Sequence, residues 1–114
     1  MMIKIYHNPR CSKSREGVKY LEEKGLDFQI IEYLKEDLST TDLMEIIQKL
    51  GIQPIDLVRT KEAIWKENFK GKELTNDQIV EAMVLNPRLI ERPIVIKNNK
   101  AVIARPLENI EEIL

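Results

Sequence analysis

The chain is short of soft ligands and nucleophiles: it has one cysteine, Cys11, and one histidine, His7. A lone thiol cannot close an internal disulfide, so redox chemistry at Cys11 must draw electrons through an external thiol. The same scarcity argues against a metal centre, since structural zinc takes four ligands and His7 and Cys11 are the only soft ones. The four glycines form no glycine-rich loop or dinucleotide fingerprint, and Trp65 and the four methionines show no cofactor pattern. No apolar run approaches the roughly 18 residues that span a bilayer. The opening Met1-Met2-Ile3-Lys4-Ile5-Tyr6 is too short for a signal h-region. A net charge of -1 with 32% charged residues describes a solvated surface, not a basic nucleic-acid binder or an acidic tail, and Lys70-Gly71-Lys72 reads as a loop. The expectation is a cytoplasmic protein with no bound cofactor, no nucleic-acid partner and no membrane contact; a reduced thiol fits that compartment.

What is present is an ordered series of short elements. Ile3, Ile5 and Tyr6 predict a strand that stops at Asn8-Pro9, and Val18, Leu21 and Gly25 mark a helix with a glycine at its C-terminus. Phe28, Ile30, Ile31 and Tyr33 predict a second strand, parallel to the first because a helix joins them. Ser39-Thr40-Thr41-Asp42 caps a helix bearing Leu43, Ile46, Ile47 and Leu50 at one-face spacing, ended by Gly51. Pro54 opens a short turn of helix, a further helix covers Ala63 to Phe69, and the capping box at Thr75 to Gln78 starts another that Asn86-Pro87 stops. Ile94-Val95-Ile96 and Ala101-Val102-Ile103 predict a hairpin whose turn uses the two asparagines, Asn98 and Asn99, in left-handed conformations. Pro106 then begins a final helix with Leu107, Ile110 and Leu114 on one face. With 114 residues and no linker or repeat, the chain reads as one α/β domain, residues 1–114, of order βαβ…ββα with a helical insertion at about 39–87. That is the mixed-sheet thioredoxin and glutaredoxin arrangement.

This order places Cys11 at a strand-to-helix turn with cations before and after it. An isolated cysteine is often a small buried apolar residue. Here the helix start and the neighbouring positive charges favour the thiolate. Ser14, three residues on, is within reach of the sulfur, and Arg15 shares its helical face at i+4. His7 either pairs with Cys11 as an imidazolium or caps the end of the strand. Arg92 and Arg105 each precede a proline, which favours extended backbone, and they flank the predicted hairpin, so its strands could bring them to one end of the sheet. Arg59, taken alone between Val58 and Thr60, reads as a solvated helix residue.

The chain resembles the glutaredoxin-dependent arsenate reductases. The likeness covers nearly its whole length and rests on Tyr6-His7-Asn8-Pro9-Arg10-Cys11, Ser14-Arg15, Leu57-Val58-Arg59, Glu91-Arg92-Pro93-Ile94-Val95 and Ala104-Arg105-Pro106. It implies a thioredoxin-like sheet, a Cys11 nucleophile, oxyanion-binding arginines at Arg59, Arg92 and Arg105, and a cis-proline at Pro93. It also implies arsenate as substrate, glutathione as thiol co-substrate and glutaredoxin as partner, with no metal. Arginine suits a tetrahedral oxyanion, because its planar fork stays charged and binds two oxygens at once. One departure stands out: where the family usually continues the cysteine with Gly-Thr-Ser-Arg-Asn, this chain has Ser12-Lys13-Ser14-Arg15-Glu16. Glu16 adds a negative charge near the anion site, and Lys13 partly offsets it. Two other classes share the fold. An Spx-like RNA-polymerase-binding regulator would act by contact, but Ser14 stands where a sensing Cys-x-x-Cys pair would have its second cysteine. A monothiol glutaredoxin-like protein would use Cys-x-x-Ser for thiol transfer.

Overall fold

A computed structural model of the chain describes residues 3–36 and 38–114, so Met1 and Met2 of the opening stretch lie outside the described residues. The backbone divides into two compact units, Met1–Asp37 with Arg92–Leu114, and Leu38–Glu91. The first contains β1 (Ile3–Tyr6), α1 (Ser12–Glu23), β2 (Phe28–Ile31), β3 (Ile94–Lys97), β4 (Lys100–Ile103) and a closing 3-10 segment (Leu107–Glu112). Among the described residues the strands form one mixed sheet in the order β2-β1-β3-β4. β1 and β2 run parallel with Ile3 opposite Phe28, whereas β3 runs antiparallel to β1 with Val95 opposite Ile5. The expected α/β order is the one observed. α1 supplies the crossover that a parallel pair requires, and the β3–β4 hairpin is tight because Lys97 pairs with Lys100 across Asn98 and Asn99.

Burial explains the strand sequences. β3 lies between two neighbours, and its Ile94, Val95 and Ile96 are all buried, the continuous apolar run of a strand covered on both faces. β2 is an edge strand, and Ile30 on it is exposed. Ile3, Ile5, Leu21, Val95, Val102, Ala104, Ile110 and Ile113 form this unit's core.

Two local expectations differ from the structure. Only Asn98 has a positive φ, 59°, so the hairpin turn needs one left-handed residue. The final segment is a 3-10 helix over Leu107–Glu112, not an α-helix with Leu114 on its inner face. With three residues per turn, positions 107, 110 and 113 line up. Ile110 and Ile113 are buried accordingly, and Leu114 is exposed.

Gly17, in the middle of α1, lets this helix lie directly on the sheet. A Cβ added there would stand 2.9 Å from Cγ of Pro93 and 3.2 Å from Cδ1 of Ile5, both residues buried. Alanine would gain about 1 kcal/mol in helix propensity, but forcing a methyl group into a filled core costs about 1–3 kcal/mol. Gly17→Ala is therefore expected to lower stability by ~1 kcal/mol net, and Gly17→Val by more, because it adds volume with no propensity gain of alanine's size. Urea denaturation measures both, and an alanine variant more stable than the parent would show that α1 has slack against Pro93.

The second unit holds α2 (Thr40–Leu50), a 3-10 turn (Pro54–Leu57), α3 (Ala63–Asn68), α4 (Asn76–Leu85) and a second 3-10 turn (Pro87–Leu89). Both expected capping boxes form: Ser39 Oγ accepts from the Asp42 amide at 3.0 Å, and Thr75 Oγ1 accepts from the Gln78 amide at 3.2 Å. α2 and α4 pack together, burying Leu43, Ile46, Ile47, Ile79, Val80 and Met83. α3 ends at Asn68, one residue before Phe69, whose ring stacks on Trp65 at 5.3 Å. Residues 57–59 lie alongside 89–91: the Arg59 amide donates to Leu89 O at 2.7 Å and the Glu91 amide to Leu57 O at 2.9 Å. No helix among the described residues is long and apolar enough to cross a membrane.

Candidate active site

β1 ends at Tyr6, and the chain turns through 7–10 into α1. The Cys11 amide donates to Asn8 O at 3.0 Å, and Asn8 Oδ1 accepts from the Arg10 amide at 3.0 Å, an Asx turn that sets the loop. Cys11 takes the N-cap position of α1 in extended conformation, with no acidic residue in the first turn. The open amides of a helix start favour a negative charge there. The sulfur makes no complete cap hydrogen bond, so the Ser14 and Lys13 amides act on it as nearby N–H dipoles.

Two guanidinium groups complete the surroundings of the thiol. Arg105 Nη2 donates to Cys11 Sγ at 3.4 Å, and its Nε donates to the carbonyl of Arg92 at 2.7 Å. Burial pushes the Cys11 thiol up. The Ser14 amide, the Arg92 guanidinium by hydrogen bond and charge, and the Lys13 amide together outweigh that, bringing the thiol down to about 7. Arg105, whose Nη2 donates to the sulfur, adds a positive charge acting in the same direction. At neutral pH Cys11 is thus partly thiolate.

Arg92 and Arg105 come together because β3 and β4 pair with Ile94 opposite Ile103. The Ala104 amide then donates to Pro93 O at 2.9 Å, holding the residues just beyond the hairpin side by side. The Arg92–Pro93 and Arg105–Pro106 bonds are both cis.

The other predicted residues near the thiol have different partners from those expected. Ser14 is fully buried, and its hydroxyl faces the loop: Oγ lies 2.7 Å from His7 Nδ1 and accepts the Asn8 amide at 2.9 Å. Its backbone, not its side chain, acts on the sulfur. Burial lowers the His7 pKa, with Arg15 pushing the same way and Glu32 and Ser14 only partly opposing. The imidazole is therefore neutral at pH 7, not an imidazolium paired with Cys11. Its Nδ1 meets Ser14 Oγ, which also accepts from the Asn8 amide. Arg15 Nη1 donates to Pro9 O at 2.9 Å, fastening the loop to the first turn of α1. Lys13 pairs with Glu16 at 3.6 Å on α1, so this extra carboxylate has its own counter-charge; between exposed groups such a pair contributes little stability.

Arg59 belongs to the Leu38–Glu91 unit and is not on a helix. It follows the Pro54–Leu57 turn, is three-quarters buried, and its Nε lies 3.9 Å from Glu91 Oε1. Its Nη1 is buried with no hydrogen-bond partner among the described residues, a position where a donor is costly unless an acceptor arrives. Among the described residues no group of three or more His, Cys, Asp or Glu side chains could hold a metal ion.

A mixed thioredoxin-like sheet carrying one activated thiol at a helix start is an arrangement suited to thiol-based redox chemistry. The chain belongs to the ArsC family, whose pattern it matches over residues 6–113. It is 43% identical over 114 residues to an arsenate reductase of Neisseria meningitidis serogroup A, covering 98% of this chain and 97% of that protein. An arsenate reductase of Haemophilus influenzae is also 43% identical, over 100% of both chains. The structure of an arsenate reductase from Vibrio cholerae superposes with a TM-score of 0.94 at 43% identity, over 100% of this chain and 98% of the other.

Proposed function

We propose that this chain reduces arsenate to arsenite through a covalent adduct on Cys11, with glutathione and a glutaredoxin supplying the electrons. The observation that carries the reading is a thiol lowered to about 7 with Arg105 3.4 Å from its sulfur. A thiolate and an arsenate anion repel each other, so a cation beside the sulfur is what such an attack requires. In the proposed cycle Cys11 thiolate attacks arsenic, an arsenate oxygen leaves as water, and a sulfur–arsenic(V) bond forms. Glutathione then adds to the same arsenic, expelling a second oxygen as water. The glutaredoxin thiolate attacks the glutathione sulfur, and the electron pair of the sulfur–arsenic bond reduces arsenic(V) to arsenic(III). The products are a glutathione–glutaredoxin mixed disulfide and, after water cleaves the remaining bond to Cys11, arsenite and the free thiol.

Arg92 and Arg105 are read as oxyanion ligands from their place beside the thiol. Arg59 is read as a third from its match to the family pattern and its unsatisfied Nη1. Pro93 is read as the cis-proline flanking the site, and His7, Ser14 and Arg15 as residues that hold the loop in which the thiol is activated. The chain is read as one thioredoxin-like domain, residues 1–114, with a helical insertion at about 39–87. A reducing cytoplasm would keep Cys11 as a thiol and provide both co-substrates.

The test is a coupled assay that follows NADPH oxidation through glutathione reductase, glutathione and glutaredoxin. Arsenate-dependent oxidation that needs the chain is the expected result. Turnover of glutathione mixed disulfides with no response to arsenate would replace this reading with a thiol-transfer protein.

A further inference from the structure

We propose that Asn109 is a positioning residue for the reactive thiol: its side-chain amide fixes the backbone from which Arg105 reaches Cys11. Asn109 Nδ2 donates to Ile103 O at 3.0 Å and to Arg105 O at 3.2 Å, so one amide group spans the residues on either side of Ala104. Both protons of the amide are used. This stretch is where β4 has ended and sheet hydrogen bonds give out. The Arg105 amide turns back onto Ile103 O at 2.9 Å, and the Ala104 amide reaches Pro93 O. Asn109 thus secures the side of the turn that the hairpin partner does not.

Asn109 is itself well anchored. It lies in the 3-10 segment, with its amide on Pro106 O at 3.1 Å, and the next residue, Ile110, is fully buried in the core. Lys24, the C-cap of α1, pairs with Glu111 two residues on. A relay follows from a fixed segment: Asn109 holds the carbonyls of 103 and 105, Arg105 Nε holds Arg92 O, and Arg105 Nη2 meets Cys11 Sγ. Arginine has several side-chain torsions and a high rotamer entropy. Holding its main chain from one side and its Nε from the other leaves Nη2 little freedom except toward the sulfur. Nothing about Asn109 places it on the substrate; its effect passes through Arg105.

The inference rests on the reading of Cys11 as the nucleophile, but it is tested on ionisation and not on arsenate, so the two fail separately. The pH dependence of Cys11 alkylation by iodoacetamide is measured on the full chain for the parent, Asn109→Leu, Arg105→Ala and the double variant. Asn109→Leu keeps the side chain's size and removes both donors. Its inflection is expected to rise by about 0.5–1 pH unit, a thiolate population about 2- to 5-fold smaller at pH 7. In the Arg105→Ala background the same change is expected to shift nothing further, because the group through which it acts is gone. Should Asn109→Leu not fold, Asn109→Ser, which retains one donor, gives the same comparison with a smaller rise. An unchanged inflection, or an equal rise with and without Arg105, would overturn the proposal and leave Asn109 a purely structural clamp.

Discussion

Cys11→Ser is expected to lower arsenate turnover by on the order of 10³-fold or more, since an alcohol forms almost no alkoxide near neutral pH and the chain holds no other sulfur nucleophile. The substitution suits the fold. Cys11 is the N-cap of α1 and its sulfur makes no cap hydrogen bond, whereas serine is a favoured N-cap whose oxygen readily accepts a first-turn amide. Stability is therefore expected to stay level or rise by a few tenths of a kcal/mol. Activity would vanish from a protein that is, if anything, better folded. Mass spectrometry of the parent with arsenate and glutathione is expected to show one adduct, at Cys11, and none in the variant. Multiple turnovers without added thiol, or activity in Cys11→Ser, would sink the mechanism.

Removing the Arg92 charge is the second large change. The parent's alkylation rate is expected to rise with pH through an inflection at about 7. In Arg92→Ala the hydrogen bond and the charge are both lost while the opposing effect of burial remains, so the inflection moves up toward the ordinary thiol value near 8.5. At pH 7 that leaves on the order of tenfold less thiolate, and kcat/KM for arsenate falls further because the proposed oxyanion ligand has gone too. Arg92→Lys separates these effects. A lysine restores most of the charge and hence most of the low pKa, but not the planar fork, so arsenate KM stays raised while the alkylation profile recovers. A lysine variant matching the parent in both measurements would rule out fork-type contact. The same ionisation couples to folding. Because the folded thiol has the lower pKa, its stabilising contribution is complete above the unfolded value near 8.5 and fades as pH falls through about 7.

The parts of this molecule that could be read from sequence are those governed by short-range chemistry. Ser39 with Asp42 and Thr75 with Gln78 announce helix starts because each capping box is a local exchange of two hydrogen bonds. The approach of Arg92 and Arg105 was legible for a related reason: a two-residue turn fixes the register of both flanks. The closing segment was harder. Leu107, Ile110 and Leu114 fit an α-helical face, and only the three-residue repeat of the actual 3-10 turn selects Ile113. The partners of the polar side chains were not legible, since a serine beside a cysteine offers its hydroxyl or its amide, and only burial against His7 and Asn8 decides for the amide. Gly17 and Asn109 carry no local signature at all. One is defined by the ring of a proline 76 residues away, the other by carbonyls that are exposed only because a strand has ended.

The sheet joins the two ends of the chain: β1 at residues 3–6 pairs with β3 at residues 94–97, and the intervening 54 residues of Leu38–Glu91 form a unit of their own. Such a pairing closes late, because the entropy of bringing distant segments together is spent before any contact repays it. Cys11 precedes Arg92 by 81 residues and Arg105 by 94, so the charges beside its sulfur arrive there only through this long-range pairing. A chain in which that pairing has not formed therefore carries a thiol without its two guanidinium neighbours. Its full reactivity comes into being only with the β3–β4 hairpin in place, so the unfolded polypeptide is spared the oxidation and alkylation that a permanently ionised sulfur would invite.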